Sequence, residues 1–280
     1  MSLDFSKPRL FAKVDGRSFE FDEMNGLHFL ELRTTAPQTR TSLQTNDFQD
    51  GSRQQGPILF GARTVAADFY FEATDLYDFE LASQEIWRRL YSRNLIELRW
   101  SHMPGIKMLV IAKPFETTRL NWGDMKFTVE FDMPAGYRQS LAKSDQMQFI
   151  YEDELAQIGM NLLNGEDFAY RFKQTRFKLY NPSDVVIDPY YQRHDLDIII
   201  KGQGAPTITN LTNNYGIALN RALTANDTLI WHGVRPLLNG ASCERVTNHG
   251  HIQLEKGWND ISVTGLSNID ITFSFPFLYL

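Results

Sequence analysis

One cysteine, Cys243, occurs among the 280 residues, so no disulfide can form within the chain. That suits assembly in a reducing compartment, and a lone Cys in a β-rich segment reads as a small core residue. No apolar run approaches the ~20 residues that span a bilayer, so no membrane insertion is expected. The opening stretch "MSLDFSKPRLFAKVDG" lacks the apolar centre of a signal peptide. Runs of Lys or Arg are absent and the formal net charge is -6, a poor basis for gripping a phosphate backbone. Low-complexity tracts and internal repeats are missing as well.

Chemistry-bearing motifs are equally scarce. No segment reads G-x-x-x-x-G-K-[ST] and none reads G-x-S-x-G, so a phosphate-cradling loop and a nucleophile elbow are excluded. "GQGAP" has two glycines of a dinucleotide fingerprint without a following helix, and it reads as a turn. Asp184 with Asp188, and Asp195 with Asp197, could pair as carboxylates, but surface strands commonly carry such residues. In "HGHIQLE", His249 and His251 alternate along an expected strand, with Glu255 further along the same face. That spacing resembles the first metal motif of cupins, yet the later ligand and the glycine framing are missing. Polar residues on the wet face of a strand are the better reading. No catalytic residue, no cofactor and no metal are therefore expected, and the chain reads as no enzyme.

What is present is core-forming material: 42% hydrophobic residues and 13% aromatics, which excludes wholesale disorder. The first half reads as strands with one helix. Asp15-Gly16 in "RLFAKVDGRSFEF" suits a tight hairpin turn. "GLHFLELRT" alternates, with Leu27, Phe29 and Glu31 on one side and His28, Leu30 and Leu32 on the other. "ILFGARTVAADFYFEA" alternates through Val65, Ala67, Phe69 and Phe71. In "TDLYDFELASQEIWRRLYSR" the period changes: Leu76, Phe79, Ala82 or Ser83, Ile86 and Leu90 recur at helical spacing. The helix is expected over about 75–92, capped by Thr74 or Asp75, with Arg88, Arg89 and Arg93 at its end. Two hairpins follow, turning at Pro104-Gly105 and near Gly123-Asp124.

The pattern breaks at "PAGYRQSLAKSDQ". A first domain over 1–138, a linker over 139–167 and a second domain over 168–280 are expected. "EDELAQIGMNLLNGED" reads equally as a short helix or as ordered linker. From Phe168 onward, short strands closed by Gly, Asn, Asp or Pro indicate an all-β sandwich or barrel. The fold class is mainly β with one α-helix in the first domain.

The run "DGSRQQGPILFGARTVAADFYFEATDLYDFELASQEIWRRL", then "LRWSHMPGIKMLVIA" and "KFTVEFDMPAGY", resembles the N-terminal domain of distal tail proteins of long non-contractile-tailed bacteriophages. "FKLYNPSDVVIDP" and "HIQLEKGWNDISVTG" are similar to the C-terminal galectin-like β-sandwich of that family. The resemblance implies a β-sandwich-like ring domain followed by a galectin-like sandwich. It further implies a structural hub at the distal end of the phage tail, within the virion, made in the host cytoplasm. Six copies would form a homo-hexameric ring with a channel that passes DNA without specific binding. A tail tube protein would lie above, and a tail-tip or fibre protein of the tail-associated lysin kind below. A receptor-binding protein would attach to the outer domains.

One segment stays unexplained by a monomer: the polar arm 36–57, read as a long loop between strands. Ordering it would cost about 1–2 kcal/mol per residue in backbone entropy, which contact with a neighbouring copy would offset. Thr39, Thr41 and Thr45 suit added strands or backbone hydrogen bonds across subunits. Asp50-Gly51 can turn the chain back, and Arg53 can pair with a neighbour's carboxylate. These six residues are the expected inter-subunit interface. The alternative is a carbohydrate-binding adhesin acting through the second sandwich. There Trp231, beside His232 and Arg235, or Trp258, beside Asn259 and Asp260, would offer the sugar-binding ring.

Overall fold

The computed structural model describes residues 7–121, 123–147 and 155–280. The chain divides into two compact units, one running to Arg138 together with Leu280, the other Gln139–Tyr279.

In the first unit Leu10–Val14 (β1) and Arg17–Glu20 (β2) form a hairpin around Asp15-Gly16, whose φ angles of 50° and 80° are those of a tight turn. Leu27–Thr34 (β3) leads to Thr39–Gln44 (β4), Arg53–Phe60 (β5) and Arg63–Glu72 (β6). After the helix Leu76–Leu90 (α1) come Ile96–Trp100 (β7), Ile106–Ala112 (β8), Thr118–Arg119 (β9) and Asp124–Met133 (β10). The strand order is β2-β1-β7-β8-β10-β6-β3, with β9 beside β10. Cross-strand rows explain the core. Ala12 lies opposite Leu98 and Leu98 opposite Met108; on the other limb Phe29 faces Phe69, which faces Phe127. All six side chains are buried. The Phe69 and Phe127 rings stack at 5.3 Å, and each such ring contributes about 1.5–3 kcal/mol by burial alone.

A bulge between Phe29 and Glu31 shifts the register of β3. Strict alternation put Leu32 opposite to Leu27 and Phe29. The bulge instead turns Leu32 into the core and leaves Leu30 exposed, because one extra residue reverses the faces beyond it.

The helix begins where a cap was expected: the Asp75 carboxylate accepts the Asp78 N–H at 2.8 Å. Ser83, Ile86 and Leu90 are buried, and Phe79 and Ala82 pack at the core's margin. Arg89 pairs with Glu85 one turn earlier and lies over the Phe19 ring.

In the second unit two strands dominate. Following Arg138–Ser140 (β11), Arg171–Phe172 (β12) and Arg176–Asn181 (β13), the chain enters Asp197–Asn210 (β14). Tyr215–Ala218 (β15), Leu229–His232 (β16), Arg235–Leu238 (β17) and Ala241–Ser242 (β18) precede Gly257–Ser274 (β19) and the final Leu278–Tyr279 (β20). β14 and β19 pair along their lengths, interrupted by register shifts at Lys201/Gln203 and Gly204/Thr207. Their far halves carry β13 and β15, and their near halves carry β12 and β16 to β18. Phe177 of β13 stacks on Phe172 at 3.8 Å and meets Phe273 at 6.1 Å. The halves thus enclose one core with Ile198, Ile200, Ile208, Ile261 and Ile271.

Several sequence readings change here. "GQGAP" is no turn: it is the bulged middle of β14. The separate strands read in "DLDIIIKG" and "PTITNLTNN" are one bent strand, and those in "NDISVTG" and "NIDITFSF" are another. Nor is "HIQLE" a strand; apart from an isolated bridge between Leu254 and Ile187 it is irregular, and His249 has φ of 52°. Buried amides hold it in place. Asn210 donates to the Gln253 carbonyl at 2.7 Å, and Asn259 accepts from the Glu255 N–H at 2.8 Å. Asn181, the Asn of the expected Asn-Pro turn, donates to the Leu254 carbonyl. Within the stretch read as a linker, the Ser140 and Ser144 N–H groups donate to the Phe277 and Phe275 carbonyls. "EDELAQIGMNLLNGED" lies partly outside the described residues; its described part forms turns and irregular backbone, with Ala156 and Met160 buried.

Candidate functional site

The arm 36–57 is not a loop without structure. Residues of β4 and β5 pair antiparallel, Thr39 opposite Phe60 and Gln44 opposite Arg53, as a two-stranded sheet of their own. The missed signal is physical: neither strand has an inner and an outer face, because all of β4 and nearly all of β5 are exposed. Without a buried face no alternation of apolar residues is selected. At the tip the Thr45 and Ser52 hydroxyls lie 3.2 Å apart, and Gly51 with φ of 76° returns the chain beside Asp50. A bulge between Arg40 and Ser42 brackets Thr41. At the root Phe60 meets the Tyr137 ring edge-on at 5.9 Å, and the Gly61 N–H donates to the Gln38 carbonyl at 2.7 Å.

The six expected interface residues Thr39, Thr41, Thr45, Asp50, Gly51 and Arg53 therefore all lie on one projecting hairpin, in solvent. Sequence reasoning missed its apolar members. Leu43 is 61% exposed, Ile58 is 51% exposed, Leu59 is also exposed, and Phe48 at the tip is entirely open, with φ of 67°. Beneath the root, Arg63 is buried, donating through Nε and Nη2 to the Thr35 carbonyl. Burial first, and the charge of Arg138 second, push its guanidinium below the usual range.

The remaining candidates separate. Trp231 is 1% exposed, within the core of the second unit; its ring has no face to offer a sugar, which corrects that expectation. Trp258 is 41% exposed and rests on Tyr180 at 5.0 Å and Phe168 at 6.2 Å. The side chain of His251 lies between Tyr190 and Tyr215, at 4.9 and 4.8 Å. Among the described residues no group of three His, Cys, Asp or Glu could hold a metal ion. Asp188 accepts the backbone N–H groups of Tyr190 and Tyr191, Asp184 accepts from Asn161, and Asp197 binds Lys143 and His232. These carboxylates hold turns and strands together. Among the described residues no helix is long and apolar enough to cross a membrane.

Comparison with known proteins gives this geometry a setting. Residues 14–133, the greater part of the first unit, match the family of the phage tail protein RIFT-related domain. No curated protein matches the chain. Among solved structures, the Dit protein of phage SPP1, described as a paradigm of the hub adsorption apparatus in phages infecting Gram-positive bacteria, superposes with a TM-score of 0.68. The identity is 11%, over 96% of this chain and 99% of that one. A chain of the phage p2 baseplate in its activated conformation matches at a TM-score of 0.45 and 11% identity, over 96% of this chain and 97% of that one. Residues 14–133 thus carry the likeness to the phage tail protein RIFT-related domain, and along its length the chain shares the fold of the SPP1 Dit protein.

Proposed function

We propose that this tail protein is a hub in which six copies close into a ring through the β4–β5 hairpins. The first units would form the ring around a channel for DNA, and the second units would project outward. The ring would join the tail tube protein above to the tail-tip or fibre protein below, at the distal end of the virion, and a receptor-binding protein would attach at its periphery. Synthesis would take place in the host cytoplasm. No catalytic role is proposed.

The observation that carries this reading is the hairpin itself. An isolated two-stranded sheet is marginally stable in water, and this one exposes Leu43, Phe48, Ile58 and Leu59 along its length and at its tip. Contact with another copy would bury these side chains and complete the unpaired edges of β4 and β5. The test is to remove Thr45–Ser52, joining Gln44 to Arg53 through two glycines, and to weigh the particles by light scattering. The full chain should have the mass of a hexamer and the shortened chain a lower mass, with an unchanged circular dichroism spectrum. A hexamer that survives the deletion would remove the hairpin from the assembly.

Sugar recognition by the second unit is retained as a second reading through Trp258 alone, because its ring is open and held on two others. Glycan binding that disappears in Trp258→Ala would support it.

A further inference from the structure

A ring built by rotation uses a heterologous contact, in which each copy offers two different surfaces to its two neighbours. The hairpin is one. Among the described residues of the first unit, another set of exposed large apolar side chains lies along α1 and at its end. Tyr77 and Leu81 on its outer side, Trp87 at the margin of that side and Tyr91 just past the helix end are 44–75% exposed. Tyr77, Leu81, Gln84, Arg88 and Tyr91 recur at helical spacing along one stripe. That stripe lies away from the side on which Ser83, Ile86 and Leu90 are buried. A surface helix normally has a polar outer side; this one carries apolar residues on both.

The two surfaces suit each other in length and charge. Six residues of β4 extend about 20 Å, and the fifteen residues of α1 about 22 Å. The hairpin tip carries Asp47 and Asp50 on either side of Phe48. The end of α1 and the residues just beyond carry Arg88 and Arg93, both exposed. None of these four has an ion-pair partner among the described residues.

We propose that the β4–β5 hairpin of one copy lies along the outer side of α1 of the next copy. Phe48 packs against Trp87 and Tyr91, and Asp47 and Asp50 face Arg88 and Arg93. This rests on the ring reading above and names the surface that receives the hairpin.

Charge reversal separates the two ideas, because all four residues are solvated and their exchange leaves the core untouched. Particle mass is measured for the full chain, for Asp47→Lys with Asp50→Lys, for Arg88→Glu with Arg93→Glu, and for the fourfold variant. The expected result is a ring for the full chain, loss of most of the ring in each double variant, and its return in the fourfold variant. Rings that persist in both double variants, or that do not return in the fourfold one, overturn the docking while leaving the ring intact. A full chain that remains a single polypeptide overturns the ring reading, and the docking with it.

Discussion

A methyl group on Gly265 would sit 2.0 Å from the carbonyl oxygen of Ala205, and one on Gly204 would sit 2.2 Å from the carbonyl oxygen of Gly265. Both glycines have positive φ, at the place where the paired strands β14 and β19 change register. The backbones approach too closely there for any side chain. Gly265→Ala should therefore destabilise the protein by more than the ~1–3 kcal/mol that a strained φ costs. Gly16→Ala is the control, since a methyl there meets nothing. Chemical denaturation of the two variants checks this; equal loss would contradict the close approach. Two histidines make stability depend on pH. Burial lowers the His194 and His251 imidazoles below their ordinary value, opposed weakly at His194 by the Val186 carbonyl, Asp188 and Asp195, and at His251 by Asp188. The unfolded chain then binds more protons as pH falls below about 6.5, so their contribution is complete above that pH and is lost below it. The thermal midpoint should drop between pH 7.5 and 5, and His251→Phe, which keeps a ring between Tyr190 and Tyr215, should drop less steeply.

At the scale of the element, legibility followed burial. Val65, Ala67, Phe69 and Phe71 alternate in sequence and all four are buried, so β6 could be read directly. Leu90 and Ile86 likewise marked the helix, and Asp75 its cap. Asp75→Ala should weaken α1 by about 1 kcal/mol, measurable as a shift in the denaturation midpoint. Where a face changes along a strand, the pattern misled. Leu32 was placed on the wrong side of β3 because the bulge before Glu31 has no signature in side-chain type. The halves of β14 and β19 looked like separate strands because glycine bulges resemble turns in sequence. The arm was read as a loop, with its threonines only suited to added strands and Asp50-Gly51 to a turn, because a hairpin with no buried face within one copy has no periodicity to read. Its residues were singled out by length and polarity, whereas its apolar members Leu43, Phe48, Ile58 and Leu59 emerged only from their exposure. Trp231 illustrates the opposite limit, since sequence does not distinguish a buried ring from one open to a ligand.

For the molecule as a whole, the chain divides into two compact units, and the buried side chains of the first gather into one core. Phe69→Ala should cost about 3–5 kcal/mol and should unfold the first unit while the second retains its near-ultraviolet signal from the buried Trp231. What a single copy leaves unfinished is a projecting sheet and a helix side, both rich in exposed apolar residues. The most direct measurement is negative-stain microscopy of the purified full-length chain. The account predicts hollow particles with six-fold symmetry and outward lobes. Images containing only single copies, at concentrations where phage tails assemble, would contradict it.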